Sequence, residues 1–192
     1  GLAGLISAIE LSAAGFSVSL FEKKKYPFHR VCGEYISNEV LSYFKRRNLI
    51  PSNIEMPEIS SFELSSIKGR KLQMPLDLGG FGISRYLLDF HLLQIALSKG
   101  VNVYEQTSIL GLNFENGIFQ VESSDGKCFE SELVIGAYGK NSNLDRKLNR
   151  DFTNRRSPYI GVKYHIRTKA AKHQVSLHNF EGGYCGLNAV EE

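Results

Sequence analysis

The chain has 192 residues, enough for one globular domain and part of another, and its 42% hydrophobic and 22% charged content is ordinary for a globular protein. A net charge of +3, small and scattered, argues against a nucleic-acid surface, and no apolar run approaches the roughly 18 residues of a membrane span. Cys32, Cys128 and Cys185 are odd in number and lack metal-ligand spacing, which predicts a reduced, cytoplasmic protein without a disulfide framework.

The chain opens on Gly1-Leu2-Ala3-Gly4, the last half of a G-x-G-x-x-G fingerprint, followed by a helix over 5–14 that stops at Gly15. A β-rich run, Phe16 to Phe21, ends in Glu22, 18 residues after Gly4. That is where a Rossmann unit places an acid to accept hydrogen bonds from ribose hydroxyls, while the pyrophosphate sits on the helix N-terminus. With no initial Met, first strand or first glycine, the sequence reads as an internal piece of a longer protein. Lys23-Lys24-Lys25 and Arg155-Arg156 read as solvated faces, although Lys23 lies beside the ribose position.

Residues 37–46 show a second helical pattern, and 48–57 a connector with two prolines. Ser61–Ser65 and Lys71–Pro75 flank Lys68-Gly69-Arg70, a hairpin signal. The glycine-rich stretch at Gly79, Gly80 and Gly82 leads to a helix over 85–99, closed by Gly100, and then to a strand at 101–104. A β-meander follows, with strands at 108–114, 118–123 and 127–129 and turns at Asn116-Gly117 and Asp125-Gly126. Leu133-Val134-Ile135 reads as a buried parallel strand delivering the chain to the turn Gly136-Ala137-Tyr138-Gly139. Beyond 149, residues 159–167 and 174–187 alternate as antiparallel strands. His165, His173 and His178 are too irregular for a metal site and read as exposed histidines on a strand face.

These segments together predict an α/β protein: a Rossmann-like domain with a parallel sheet and a β-meander crossover, joined to a mixed or antiparallel-sheet domain. The expected division assigns 1–57 and 77–150 to cofactor binding, and 58–76 and 151–192 to the substrate side.

The half-fingerprint, Glu22, Y-P-F-H-R-V-C-G-E at 26–34, G-I-S-R-Y-L-L-D at 82–89 and V-I-G-A-Y-G at 134–139 occur in an order that resembles FAD-dependent oxidoreductases of the p-hydroxybenzoate hydroxylase fold. Within them the sequence is most similar to the geranylgeranyl-reductase-like branch, related to flavin-dependent halogenases and aromatic-ring monooxygenases. The resemblance implies that Gly1, Leu2, Ala3 and Gly4 line the FAD pyrophosphate and that Glu22, with Lys23 alongside, holds the adenosine ribose. It places the loop containing Arg30, Val31, Cys32 and Gly33 along the flavin, with Cys32 as a packing residue, Arg30 being the basic residue noted beside it. Arg85 would reach FAD phosphates or ribitol, a role suited to its planar fork, or else pair with Asp89 one helical turn on. Ile109 would supply a backbone contact to adenine. Gly136 to Gly139 matches a second FAD motif, usually G-A-D-G, in which Tyr138 replaces the aspartate while Gly139 preserves the turn.

The implied function is a flavoprotein oxidoreductase with bound FAD, taking electrons from NAD(P)H or another donor and reducing or hydroxylating a small apolar, isoprenoid-like or aromatic substrate. The resemblance names no catalytic residue, and the absence of tryptophan argues against halogenation. The alternatives are an NAD-dependent Rossmann dehydrogenase, or a binding protein that keeps the fold without flavin, as Tyr138 would suit.

Overall fold

A computed structural model describes residues 1–140, 142–154 and 157–191. The basic pair Arg155-Arg156 and Glu192, the far end of the expected second domain, lie outside the described residues. In chain order the elements are α1 (Leu2–Ala13), β1 (Ser19–Glu22), β2 (Tyr35–Ser37), a 3-10 turn (Asn38–Val40), α2 (Leu41–Arg46), β3 (Glu58–Ser65), β4 (Lys71–Gly82) and α3 (Arg85–Ser98). There follow β5 (Asn102–Glu105), β6 (Ile109–Glu115), β7 (Ile118–Ser123), β8 (Cys128–Ser131), α4 (Asn143–Lys147), a second 3-10 turn (Asp151–Asn154), β9 (Gln174–Phe180) and β10 (Gly183–Leu187). The chain forms two compact units, residues 1–28 with 92–160, and residues 29–91 with 161–192. The result is mixed α/β, as expected.

In the first unit β1 and β5 pair in parallel, from Ser19 with Asn102 to Glu22 with Glu105. Helix α1 buries Leu5, Ala8 and Ile9, the i, i+3, i+4 face of an amphipathic helix. Its glycine turn is shorter than the sequence suggested, because Leu2 is already helical and Gly1 stands at the N-cap. The meander β6-β7-β8 matches its prediction closely. Asn116 and Gly117 both take left-handed backbone (φ 54° and 82°), which a tight two-residue hairpin requires. Phe21 of β1 stacks on Tyr104 of β5 at 4.9 Å, and Phe129 of β8 meets both rings edge-on.

The run Leu133-Val134-Ile135 departs from expectation. It forms no strand, and Leu133 and Ile135 are 64% and 51% exposed. An apolar run becomes a buried parallel strand only where sheet neighbours cover it, and neither β1 nor β5 pairs with it.

The second unit is built on a five-stranded sheet in the order β10-β9-β3-β4-β2. The predicted hairpin is β3 and β4, antiparallel from Ser61 with Pro75 to Ser65 with Lys71, and β9 adds to β3 in parallel. Alternation places Phe62, Met74 and Val175, then Leu64, Leu72 and Leu177, in cross-strand rows on one face. Gly79, Gly80 and Gly82 form the end of β4. A Cβ on Gly80 would run into the Tyr35 ring and the Ile36 carbonyl, and one on Gly82 into the Ala189 carbonyl. Here glycine allows close backbone approach within a sheet.

Two further expectations give way. The helix over 37–46 divides into a strand end, a 3-10 turn and the short α2. Residues 159–167 are not a strand, and Tyr159, Ile160, Val162, Tyr164 and Ile166 are all more than 60% exposed. Alternation signals an extended chain, but a strand also needs a hydrogen-bonding neighbour, and none of the described strands pairs there.

Candidate functional site

The first unit assembles an anion-ready turn. Helix α1 begins at Leu2 without a side-chain cap, so the amides of its first turn have no intrahelical acceptor. These N–H groups and the helix dipole favour a phosphate at this end. A Cβ on Gly4 would lie 3.3 Å from the Ala137 Cβ and 3.5 Å from Leu20 Cδ1, so glycine lets the turn at 136–139 press against the start of α1. Glu22 closes β1 with its side chain only 10% exposed, and its carboxylate lies 3.6 Å from the Gly1 nitrogen. The acid therefore stands beside the glycine turn. Lys23 is exposed, and Ile109 is half-buried at the start of β6.

The second glycine turn carries an unforeseen carboxylate. Gly139 is left-handed (φ 72°), and the Tyr138 hydroxyl donates to Asp145 Oδ1 at 3.0 Å. Asp145 is 3% exposed, with Arg150 Nε 3.6 Å from the same oxygen. Burial and this bond to a carboxylate both push the Tyr138 phenol above its ordinary range. Sequence reasoning missed Asp145, whose one signal was an acid in the first turn of a Ser142-capped helix. Backbone amides at a helix start, a close-approach glycine and a carboxylate at the strand end form a donor and acceptor set that fits the pyrophosphate and ribose of a dinucleotide such as FAD.

The second unit gathers Arg30, Cys32 and Arg85 with partners that spacing did not reveal. Ser84 caps α3 by accepting the Leu87 amide at 3.2 Å. Arg85 then forms a two-pronged pair with Asp89, at 2.7 Å from Nε and 2.9 Å from Nη2. Arg30 Nε donates to Asp89 Oδ2 at 3.0 Å, so one carboxylate, 1% exposed, joins both arginines. Burial favours loss of the Arg85 proton, and hydrogen bonds with Asp89 and Cys32 outweigh it and raise its pKa. Cys32 thus has Arg85 beside it, a neighbour that the sequence reading had not given it. The Arg85–Asp89 pairing foreseen as an alternative is present in this structure.

Glu34 anchors the same unit. It has left-handed backbone (φ 59°) and is 3% exposed. Its Oε1 accepts the Arg85 amide and Lys163 Nζ, each at 2.6 Å, and its Oε2 lies 2.7 Å from His165 Nε2. Burial alone would raise the Glu34 carboxyl, but these bonds outweigh it and hold the pKa below the ordinary value. His29 stacks on Tyr86 at 4.7 Å and meets His165 edge-on at 4.9 Å. The expected face of exposed strand histidines is therefore not formed. His165 lies outside any strand and bonds Glu34, while His178 on β9 is half-buried and bonds Ser65 Oγ at 3.0 Å. Among the described residues no group of His, Cys, Asp or Glu is arranged to hold a metal ion.

No protein-family model matches the sequence, and no curated protein does. Solved structures do match. The flavin-dependent halogenase CmlS aligns over 99% of this chain and 38% of its own, with a TM-score of 0.75 and 18% identity. The halogenase PltM, solved with phloroglucinol and FAD, aligns over 78% of this chain and 35% of its own (TM-score 0.65, 18% identity). The p-nitrophenol 4-monooxygenase PnpA from Pseudomonas putida DLL-E4 aligns over 75% and 40% respectively (TM-score 0.65, 13% identity). The chain thus shares the fold of flavin-dependent halogenases and monooxygenases, and spans well under half the length of each.

Proposed function

We propose that the chain is part of an FAD-dependent oxidoreductase. The observation that carries this reading is the first-unit turn: α1 starts uncapped against Gly136–Gly139, with Glu22 beside it, in a fold shared with flavoenzymes. Gly1, Leu2, Ala3 and Gly4 would hold the pyrophosphate, and Glu22, with Lys23 near it, the ribose. Ile109, Tyr138 and Gly139 are proposed as further contacts. Arg30, Cys32 and Arg85 stand as flavin-side proposals on the sequence resemblance. When bound, FAD supplies hydride and electron chemistry, and the protein binds and orients it.

The same reading takes NAD(P)H as electron donor, an apolar isoprenoid-like or aromatic substrate, reduction or hydroxylation as the reaction, and the cytoplasm as the location. It keeps the geranylgeranyl-reductase-like branch and the division into cofactor-binding (1–57, 77–150) and substrate-side (58–76, 151–192) segments. No helix among the described residues is long and apolar enough to cross a membrane. Tyr138 favours a second reading, a protein that keeps the fold without flavin.

Purification of the full-length protein separates the two. Oxidised-flavin absorption, retained after gel filtration or after reconstitution with FAD, is the expected result. A colourless protein that takes up no FAD overturns the proposal and leaves the second reading standing.

A further inference from the structure

The sheet of the second unit has two unlike faces. One carries the apolar rows of Phe62 and Leu64, and the alternate positions on the other are polar. There Gln73, Glu63, Ser176 and Leu187 follow one another across β4, β3, β9 and β10, and Lys71, Ser65 and His178 form the next row. Glu63, Lys71, Ser176 and His178 of this face, with Gln174 and Asn188, line a cavity of about 220 Å³. At ~30 Å³ each, about seven waters would fill it.

The polar groups of this wall are only partly used. Gln73 donates to Gln174 Oε1 at 2.7 Å, and Gln174 donates to Ser176 Oγ at 2.9 Å. The relay occupies an acceptor position of Ser176 and leaves its hydroxyl proton unspent, although Ser176 is only 5% exposed. Glu63 meets Lys71 at 3.0 Å through Oε1, and its Oε2 accepts from none of the described residues. His178 meets Ser65 Oγ at 3.0 Å through Nδ1, which leaves Nε2 open in either tautomer. Asn188 donates to the Ala189 carbonyl, and its Oδ1 is unused among the described residues.

The cavity thus offers a buried donor beside several acceptors. The Glu63 carboxylate opposes an anion, and its pairing with Lys71 weakens its pull on a cation. Neutral hydroxyl groups both donate and accept, so they match Ser176, Glu63 and Asn188 together. Ala170, Ala171 and Leu187 add apolar wall suited to the C–H groups of a sugar ring. We propose that this cavity binds a small neutral polyol of monosaccharide size. The site draws on the second unit alone and goes beyond the flavoprotein reading.

The test is a titration of the full-length protein with D-glucose, read by calorimetry and by the His178 ring resonances. Saturable binding in the millimolar range is expected, with a shift of those resonances. Ser176→Ala and Glu63→Gln should each weaken it at least fivefold. Asn188→Ala, outside the strands, should weaken it too and keeps the test decisive if a strand variant fails to fold. Lys127→Gln removes an exposed lysine paired with Asp125 in the first unit and should leave binding unchanged. Inorganic phosphate and methylammonium should not compete. Absence of saturable glucose binding, displacement by either ion, or equal losses in Lys127→Gln and Ser176→Ala overturns the proposal. The titration is decided with or without FAD, so failure of the flavoprotein reading leaves this one standing.

Discussion

Glu34 and Lys163 are 129 residues apart in sequence, yet their side chains meet at 2.6 Å with the carboxylate almost wholly buried. Glu34 thereby ties residues 161–167, a segment outside the described strands and helices, to the loop that precedes β2.

Removing this carboxylate leaves a poorly hydrated ammonium without its partner. Glu34→Ala should cost about 3 kcal/mol, the usual penalty for breaking a buried pair from one side. Glu34→Gln, which keeps an acceptor oxygen, should cost less. The Glu34 pKa is depressed in the folded state, so its contribution is present above the ordinary carboxylate pKa of 4.5 and is lost as pH falls through the folded value. Urea unfolding between pH 7 and pH 3.5 should show a steep acid limb in the native protein and a flatter one in Glu34→Gln. Equal slopes would mean that Glu34 titrates as if exposed.

His91 gives a second pH effect in a different window. Its Nε2 is buried without a partner, and burial lowers its pKa below the ordinary 6.5. The unfolded state therefore binds the proton more readily, and stability falls as pH drops below about 6.5, the unperturbed histidine value. His91→Leu should remove that part of the decline, as read by melting temperature at pH 7.5 and pH 5.5. An unchanged difference between the two pH values would assign the decline to other groups.

The glycines of β4 have no room for a side chain. Gly82→Ala would place a methyl on the Ala189 carbonyl oxygen, and Gly80→Ala one on the Tyr35 ring. Each should destabilise by about 1–3 kcal/mol through overpacking. Gly69→Ala serves as the control, because its φ of 76° brings only backbone strain with open space around the position. Chemical denaturation in parallel would rank the three, and the prediction fails if Gly69→Ala proves the most damaging.

On the cofactor side, Glu22→Gln should weaken FAD about tenfold, because a hydrogen bond to a charged acceptor is worth roughly 1.5–3 kcal/mol and the amide keeps part of it. Fluorescence quenching of FAD by the full-length protein measures this directly. Gly4→Val should weaken FAD more, since its Cβ already meets Ala137 at 3.3 Å. Native affinity in Glu22→Gln would remove the ribose role from this residue.

What was legible in sequence followed from local chemistry. The α1 helix, the hairpin of β3 and β4 and the three-stranded meander were readable because glycine turns and apolar periodicity act within a few residues. The glycine turn and Glu22 were readable together because one helix and the strand after it set their spacing. Tertiary structure decided whatever needed a distant partner. Residues 133–135 and 159–167 carry strand-like patterns but find no partner among the described strands, so they form no ladder there. Asp145 beneath Tyr138, Asp89 between two arginines, and Glu34 with Lys163 and His165 are ordinary polar residues in the sequence. They become buried, hydrogen-bonded acids only through the fold, because burial and charge pairing depend on what the chain brings from far away.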